Sequence, residues 1–208
     1  LKNSISVAFR DSDSIFKKTL LNTSLRKKVL VQGPLGVFTL PDDPKIPLVF
    51  IAGGIGVTTF VSMVRFLTEK KIPQDVSLIY VNSSTERAAY LKELQALAKK
   101  NPKFKLINKI GHLDVDFIKN SVKYTPKTLW YFCGPPQMVL ELTRTIPQKL
   151  KVPEANIRTE EYVGYDPKLQ SYKVFAPSGE KFEAMTDDQA VDYACKSLLI
   201  STSQSALI

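Results

Sequence analysis

Residues 52–58 read Ala52-Gly-Gly-Ile-Gly-Val-Thr58, with three glycines in four positions between an apolar run and an amphipathic one. Glycine removes the Cβ that would hold a backbone away from a bulky anion, so Gly53, Gly54 and Gly56 suit a pyrophosphate. A helix opening at Val57 would add unpaired amides and a positive dipole end. Such turns also serve to pack a strand tightly on a helix. A second signal is Tyr131-Phe-Cys-Gly-Pro-Pro-Gln-Met138. Cys133 there ends an apolar run, where a ligand seated on the first turn would extend; a lone cysteine is also a common buried hydrophobe. His112 is the one histidine, so a Ser-His-Asp triad or a multi-His metal site would rest on it alone. Cys133 and Cys195 are too few and too far apart for a zinc site or a disulfide framework, and no metal is expected.

The elements that must carry these turns follow from hydrophobic period. Leu48–Ala52, Val76–Val81, Phe104–Ile107, Thr128–Cys133 and Asn156–Tyr162 are short apolar runs read as strands. Between them, 57–70, 86–100, 114–121 and 137–150 show helical spacing, with Pro147 expected to kink or end the last. Alternation at this spacing means βαβ units and a parallel sheet covered on both faces. Ligands of such sheets bind at the carboxyl ends of the strands. Ahead of it, Leu1–Phe9 and Lys28–Gln32 read as strands around a helix at Ile15–Leu21. Three prolines between Pro41 and Pro47 mark a linker. The expected domains are 1–44, 45–166 and 167–208.

With 208 residues, 44% hydrophobic and 24% charged, the chain has an ordinary globular composition. Its longest apolar runs, such as Ile46–Val57, are broken by Pro and Gly and fall short of the roughly 20 residues of a membrane helix. No secretory signal is seen, and two cysteines suit a reducing compartment, so the expected location is the cytoplasm. The chain begins with Leu, as expected of a piece of a longer protein. Net charge is +9, with eight Lys against two Asp between Lys99 and Lys127. That stretch reads as a solvated face or as a dock for an acidic partner. It lacks the aromatic-rich basic motif that would indicate nucleic acid.

Taken together, these residues resemble the ferredoxin–NADP reductase superfamily. Gly33-Pro-Leu-Gly-Val-Phe38 is similar to the segment closing that family's flavin barrel, and Ala52–Thr58 to its pyrophosphate loop. Asn82–Leu94 is similar to its adenosine-side segment, Tyr131–Met138 to its Cys-Gly-Pro motif, and Ile157–Tyr162 to its closing strand. The resemblance implies a five-stranded, doubly wound parallel NAD(P)-binding domain preceded by part of an antiparallel flavin-binding β-barrel. It implies hydride transfer from NAD(P)H to FAD, then single electrons to an iron–sulfur acceptor. Thr58, Cys133 and Glu160 would surround the reacting rings. Gly53, Gly54, Gly56, Val57, Asn82, Ser83, Arg87, Gly134, Pro135 and Met138 would hold the dinucleotide. Ser14, Gly33, Pro34, Gly36, Phe38 and Tyr162 would lie at the flavin. The implied partner is an acidic ferredoxin or other iron–sulfur protein.

The chain departs from that pattern ahead of the sheet. The family's Arg-x-Tyr-Ser flavin motif is absent, and Asp11 stands where a glycine precedes the capping Ser14. An Asp there repels a phosphate, so a weak grip on FAD is expected. A half-barrel with open edges also favours pairing with another chain, a second copy included. The alternative class is a nucleotide-binding or electron-transfer subunit without its own flavin site. Asn82, Ser83 and Arg87 leave NADH and NADPH both open. Residues 172–208 are similar to the start of a plant-type ferredoxin, a β-grasp fold: a hairpin turning at Ser178-Gly179, then a helix over Thr186–Leu199. An ordinary helical tail reads equally well. Without further cysteines, this stretch is not expected to hold a [2Fe–2S] cluster.

Overall fold

The computed structural model describes residues 6–10, 14–29, 31, 36–161, 172–175 and 181–185. The chain divides into two units, Leu1–Ser12 with Phe16–Gly164, and Asp13–Ile15 with Tyr165–Ile208.

The first unit is built on five parallel strands: β1 (Leu48–Gly53), β2 (Val76–Asn82), β3 (Phe104–Ile110), β4 (Leu129–Gly134) and β5 (Ile157–Glu161). Their order is β3-β2-β1-β4-β5. The chain therefore winds outward from β1 in one direction, returns, and winds outward from β4 in the other. Every residue of β1 is buried, as its unbroken Leu48–Ala52 run requires of a strand covered on both faces. Side chains alternate across the sheet. Phe50, Tyr80, Tyr131 and Cys133 enter the core beneath α2 (Val57–Glu69) and α3 (Leu91–Lys100). Ile51, Ile79, Trp130 and Phe132 enter the core beneath α4 (Val115–Ser121) and α5 (Pro136–Leu150). Helix α2 buries Val57, Phe60, Val61, Val64 and Leu67, the i, i+3, i+4, i+7 stripe of an amphipathic helix. The Asp114 side chain caps α4 by accepting from the Phe117 amide at 2.7 Å.

Three expectations are corrected. Helix α3 begins at Leu91 and not at Glu86, because Tyr90 is left-handed (φ 59°) and the Ala89 carbonyl accepts from the Tyr80 hydroxyl at 3.0 Å. That bond draws 83–90 into turns held to the sheet. Strand β3 extends beyond Ile107 to Ile110, its register with β2 continuing to Asn82↔Ile110. Helix α5 ends at Leu150, as expected, and of the two effects expected of Pro147, a kink or an end, the end is not seen. A proline so near the helix end costs one amide donor and leaves little helix to break.

In the segment before the sheet, much of the expected strands Leu1–Phe9 and Lys28–Gln32 lies outside the described residues. The segment contains helix α1 (Ile15–Leu21), as expected, but no strand among its described residues. Ser6–Arg10 keeps the apolar alternation of Val7 and Phe9, yet it joins no strand pair among the described residues. Alternation permits a strand, and only a neighbour's amides and carbonyls make one. Phe38 packs on Phe60 and Tyr131 (ring centroids 5.9 and 5.2 Å). The Arg158 guanidinium donates to the Thr39 carbonyl (3.0 Å) and the Tyr131 hydroxyl (2.9 Å), which fastens this segment to β4 and β5.

In the second unit, β6 (Tyr172–Phe175) and β7 (Lys181–Met185) pair antiparallel, as the expected hairpin requires. Its turn and the helix expected over 186–199 lie outside the described residues. Among the described residues, no helix is long and apolar enough to cross a membrane.

Candidate functional site

Strands β1 and β4 are neighbours whose chains depart to opposite sides, and a crevice opens above their carboxyl ends. Both end in glycine, at Gly53 and Gly134. From Gly53 the chain turns through Gly54 (φ 54°) and one 3₁₀ turn, Gly54–Gly56, into α2. A Cβ on Gly56 would lie 2.6 Å from the Cys133 carbonyl carbon and 2.8 Å from the Gly134 amide nitrogen. The first turn thus rests on the backbone of the second. The opening turn of α2 has neither an acidic residue nor a side-chain cap, and the Val57 amide that begins it is taken up by the Gly54 and Ile55 carbonyls of the 3₁₀ turn.

The crevice is a cavity of about 820 Å³. It is lined by nine of the expected site residues: Gly53, Gly54, Gly56, Thr58, Asn82, Ser83, Gly134, Pro135 and Met138. The Thr58 hydroxyl donates to the Ile55 carbonyl (3.1 Å), which leaves its lone pairs to accept from a ligand. Asn82 is only 4% exposed, and neither polar atom of its amide has a hydrogen-bond partner. The Tyr80 hydroxyl, beside that amide, donates to the Ala89 carbonyl (3.0 Å); burial pushes its pKa up, opposed by hydrogen bonding with Asn82, by the Arg10 charge and by the Ala89 carbonyl.

The other expected residues lie elsewhere. Val57 and Cys133 are wholly buried in the core beneath α2 and are not in the cavity wall. What Cys133 presents to the site is its carbonyl, against Gly56. Glu160 is half-buried on β5, level with Cys133 in the strand register. Arg87 is on an exposed turn away from the cavity. Phe38 is committed to the core, and Gly36 stands clear, with nothing within 4 Å of a Cβ placed on it. Ser14 immediately precedes α1. Gly33, Pro34 and Tyr162 lie outside the described residues.

The cavity also brings in Arg10, Lys17 and His112, which sequence reasoning missed. Arg10 lies against the glycine turn: a Cβ on Gly54 would stand 2.5 Å from its Nη2. No spacing rule signals it, because it comes from outside the sheet. His112 follows β3 directly, and the strand-end rule finds it once β3 is read to Ile110. Among the described residues no Asp or Glu lines the cavity, and the charged side chains they bring to it, Arg10 and Lys17, favour an anion. Among the described residues, no group of three His, Cys, Asp or Glu is placed to hold a metal ion.

Residues 50–143 match the family of the oxidoreductase NAD-binding domain. A flavohemoprotein from Oceanobacillus iheyensis is 24% identical over 149 residues, 66% of this chain and 36% of that protein. NADH-cytochrome b5 reductase 1 from Dictyostelium discoideum is 27% identical over 153 residues, 66% of this chain and 52% of its own. In structure, the chain is similar to flavohemoglobin from Malassezia yamatoensis, solved with bound FAD and heme. There the TM-score is 0.62 at 24% identity, covering 74% of this chain and 42% of the other. The chain thus spans about a third to a half of the length of the relatives it matches.

Proposed function

We propose that this chain, whose residues 50–143 match the family of the oxidoreductase NAD-binding domain, is of the ferredoxin–NADP reductase-like kind, binds NAD(P)H above β1 and β4 and delivers its hydride to a flavin. The observation that carries this reading is the Gly56 turn seated on the Cys133 carbonyl beneath a cavity lined by Arg10 and Lys17. The cavity fits the dinucleotide. Gly53, Gly54 and Gly56 admit the pyrophosphate, the amides of α2 donate to it, and Arg10 closes over it as a bidentate counter-charge. Asn82 and Ser83 receive the adenosine ribose. Thr58, Pro135 and Met138 orient the nicotinamide, and proximity is most of what hydride transfer asks of the protein. Cys133 acts as a positioning residue that props the glycine turn, and Glu160 as a polar neighbour beyond it.

For FAD, the described residues carry no comparable cradle, since Phe38 is spent on the core and Gly36 faces open space. The flavin is proposed on the likeness to relatives, one of them solved with FAD bound. When bound, it would take up the hydride and release electrons singly to a haem or iron–sulfur acceptor. In this reading, 1–44 belongs to the flavin barrel, 45–166 is the nucleotide domain and 167–208 begins a β-grasp module. The acceptor is an acidic redox protein. Its dock is not the whole lysine-rich stretch: Lys103 pairs with Asp75 (2.9 Å), Lys105 donates to the Ser121 carbonyl (2.8 Å), and Lys109 covers Phe117. Lysines along edge strand β3 also guard it from stray pairing. Lys119, Lys123 and Lys127 are exposed and serve the dock. The Cys133 thiol suits a reducing compartment, the cytoplasm.

A second reading is favoured by one observation: no strand precedes Leu48 among the described residues. In that reading the chain is a dinucleotide-binding subunit whose flavin is held by another chain. The visible spectrum of the purified protein separates the two, taken anaerobically with FAD and then with NADH or NADPH. Retained flavin that bleaches with one dinucleotide is expected of the reductase. Dinucleotide binding without retained flavin is expected of the subunit. A folded chain that binds neither removes both.

A further inference from the structure

The stretch 41–47, with three prolines in seven residues, joins the segment ending at Leu40 to strand β1. Its composition is that of a linker, yet it is tied at both ends. Downstream, the buried Gln74 side chain donates to the Ile46 carbonyl, and the Leu129 amide donates to the Pro47 carbonyl (3.0 Å). Between the ends, the Asp43 side chain accepts from the Lys45 amide (2.9 Å). Upstream, three groups close a triangle. The Tyr131 hydroxyl of β4 donates to the Thr39 carbonyl (2.8 Å). Arg158 Nη1 of β5 donates to that same carbonyl (3.0 Å) and to the Tyr131 hydroxyl (2.9 Å).

The three members are not equally bound to the fold. Tyr131 is fully buried, its ring edge-on to both Phe38 and Phe50 (centroids 5.2 and 5.3 Å). Burial pushes its pKa up, so the hydroxyl keeps the proton it donates. Arg158 is half-buried on the edge strand β5, its guanidinium 5.3 Å from the Tyr131 ring centroid. Thr39 is exposed, so both donors must let go before the segment swings outward. A planar guanidinium meets two acceptors in one fixed geometry. The prolines beyond restrict the backbone further. Phe38, next to the triangle, also touches Phe60 of α2 (5.9 Å), the helix that opens at the glycine turn.

We propose that Arg158 is a positioning residue that makes the proline-rich connection a clamped strap and not a hinge. It thereby holds the segment through Leu40 at one place against the nucleotide sheet. The inference rests on the flavin reading above for its purpose only: that segment belongs to the flavin side, and the strap sets its approach to the dinucleotide.

The test is backbone ¹⁵N relaxation of the 208-residue chain, of Arg158→Met and of Arg158→Lys, with thermal unfolding and an NADH titration of each. In the parent, Thr39 and Leu40 should be as rigid as β1, with order parameters of about 0.85. In Arg158→Met, which keeps an apolar stem and loses every donor, they should fall to about 0.6 or below. Strands β1 and β4, the unfolding temperature and NADH affinity should stay close to the parent's. Arg158→Lys, with one donor for the Thr39 carbonyl, should recover part of the rigidity. Order parameters at Thr39 and Leu40 that do not change in Arg158→Met overturn the proposal, because Tyr131 and Phe38 then hold the segment alone. Loosening throughout the sheet with a lower unfolding temperature also overturns it, because Arg158 then serves the whole fold. A parent that binds no NADH removes the dinucleotide reading and leaves the strap to be judged by relaxation.

Discussion

Gly56 and Cys133 meet backbone to backbone: a Cβ at position 56 would stand 2.6 Å from the Cys133 carbonyl carbon. What it would strike is the main chain of β4, fixed between β1 and β5, so nothing flexible can give way. Gly56→Ala is therefore expected to cost about 1–3 kcal/mol of stability, the usual range for overpacking. It should also weaken NADPH and NADH alike, because the start of α2 must lift to make room. Urea unfolding and nucleotide titration check both effects. A variant with the parent midpoint and parent affinity would show that the turn yields freely.

Arg10 is expected to act on the pyrophosphate common to both dinucleotides. Among the described residues it has no ion-pair partner, and its guanidinium already lies against Gly54. Charge-assisted hydrogen bonds contribute about 1.5–3 kcal/mol. Arg10→Ala should therefore weaken NADH and NADPH by about tenfold or more, in equal proportion. Thermal unfolding without nucleotide should barely change, since Arg10 is exposed. A loss confined to one dinucleotide would place Arg10 at the ribose end instead.

Asn82 separates a ligand role from a structural one. By geometry its amide has no hydrogen-bond partner among the described residues, so Asn82→Leu, similar in volume, removes a buried polar group whose nearest polar neighbour is the Tyr80 hydroxyl. The variant should unfold at the same temperature as the parent or higher. The rise in unfolding temperature that saturating NADPH gives the parent should largely vanish, because stabilisation by a ligand tracks its affinity. Thermal scans with and without NADPH read both. A variant less stable without ligand would mean that the amide supports the fold.

The sheet was legible in the sequence because fully buried parallel strands leave unbroken apolar runs, as at Leu48–Ala52 and Leu129–Cys133. The glycine turns were legible because close approach forbids a Cβ at Gly56. Three parts were not. The start of α3 depends on the Tyr80 hydroxyl capturing the Ala89 carbonyl, a tertiary bond without a local signature. Cys133 read as a site thiol, yet strand alternation turns its side chain into the core and leaves its carbonyl for the site. Arg10 and His112 reach the cavity through chain topology, and neither belongs to a motif.

The last prediction concerns how α2, which carries the site, is held. Arg65 on α2 grips Glu93 on α3 through Nε (2.5 Å) and Nη2 (2.7 Å), and its guanidinium lies 5.7 Å from the Tyr90 ring centroid. The hydrogen bond from Arg65 lowers the Glu93 pKa from its ordinary 4.5, burial opposing. A carboxyl with a depressed folded pKa adds stability that is fully present above its unfolded pKa and lost as pH falls through the folded one. The Arg65–Glu93 coupling should therefore hold at neutral pH and fade as acid takes the solution below 4.5. Both side chains are about one-third exposed (33% and 36%), so solvent screens the pair. A double-mutant cycle of Arg65→Ala and Glu93→Ala should give about 0.5–1 kcal/mol at pH 7. That coupling should shrink in 1 M salt, where the screening length is about 3 Å. Coupling that persists unchanged at low pH would assign the contact to packing of Arg65 on Tyr90 and not to charge.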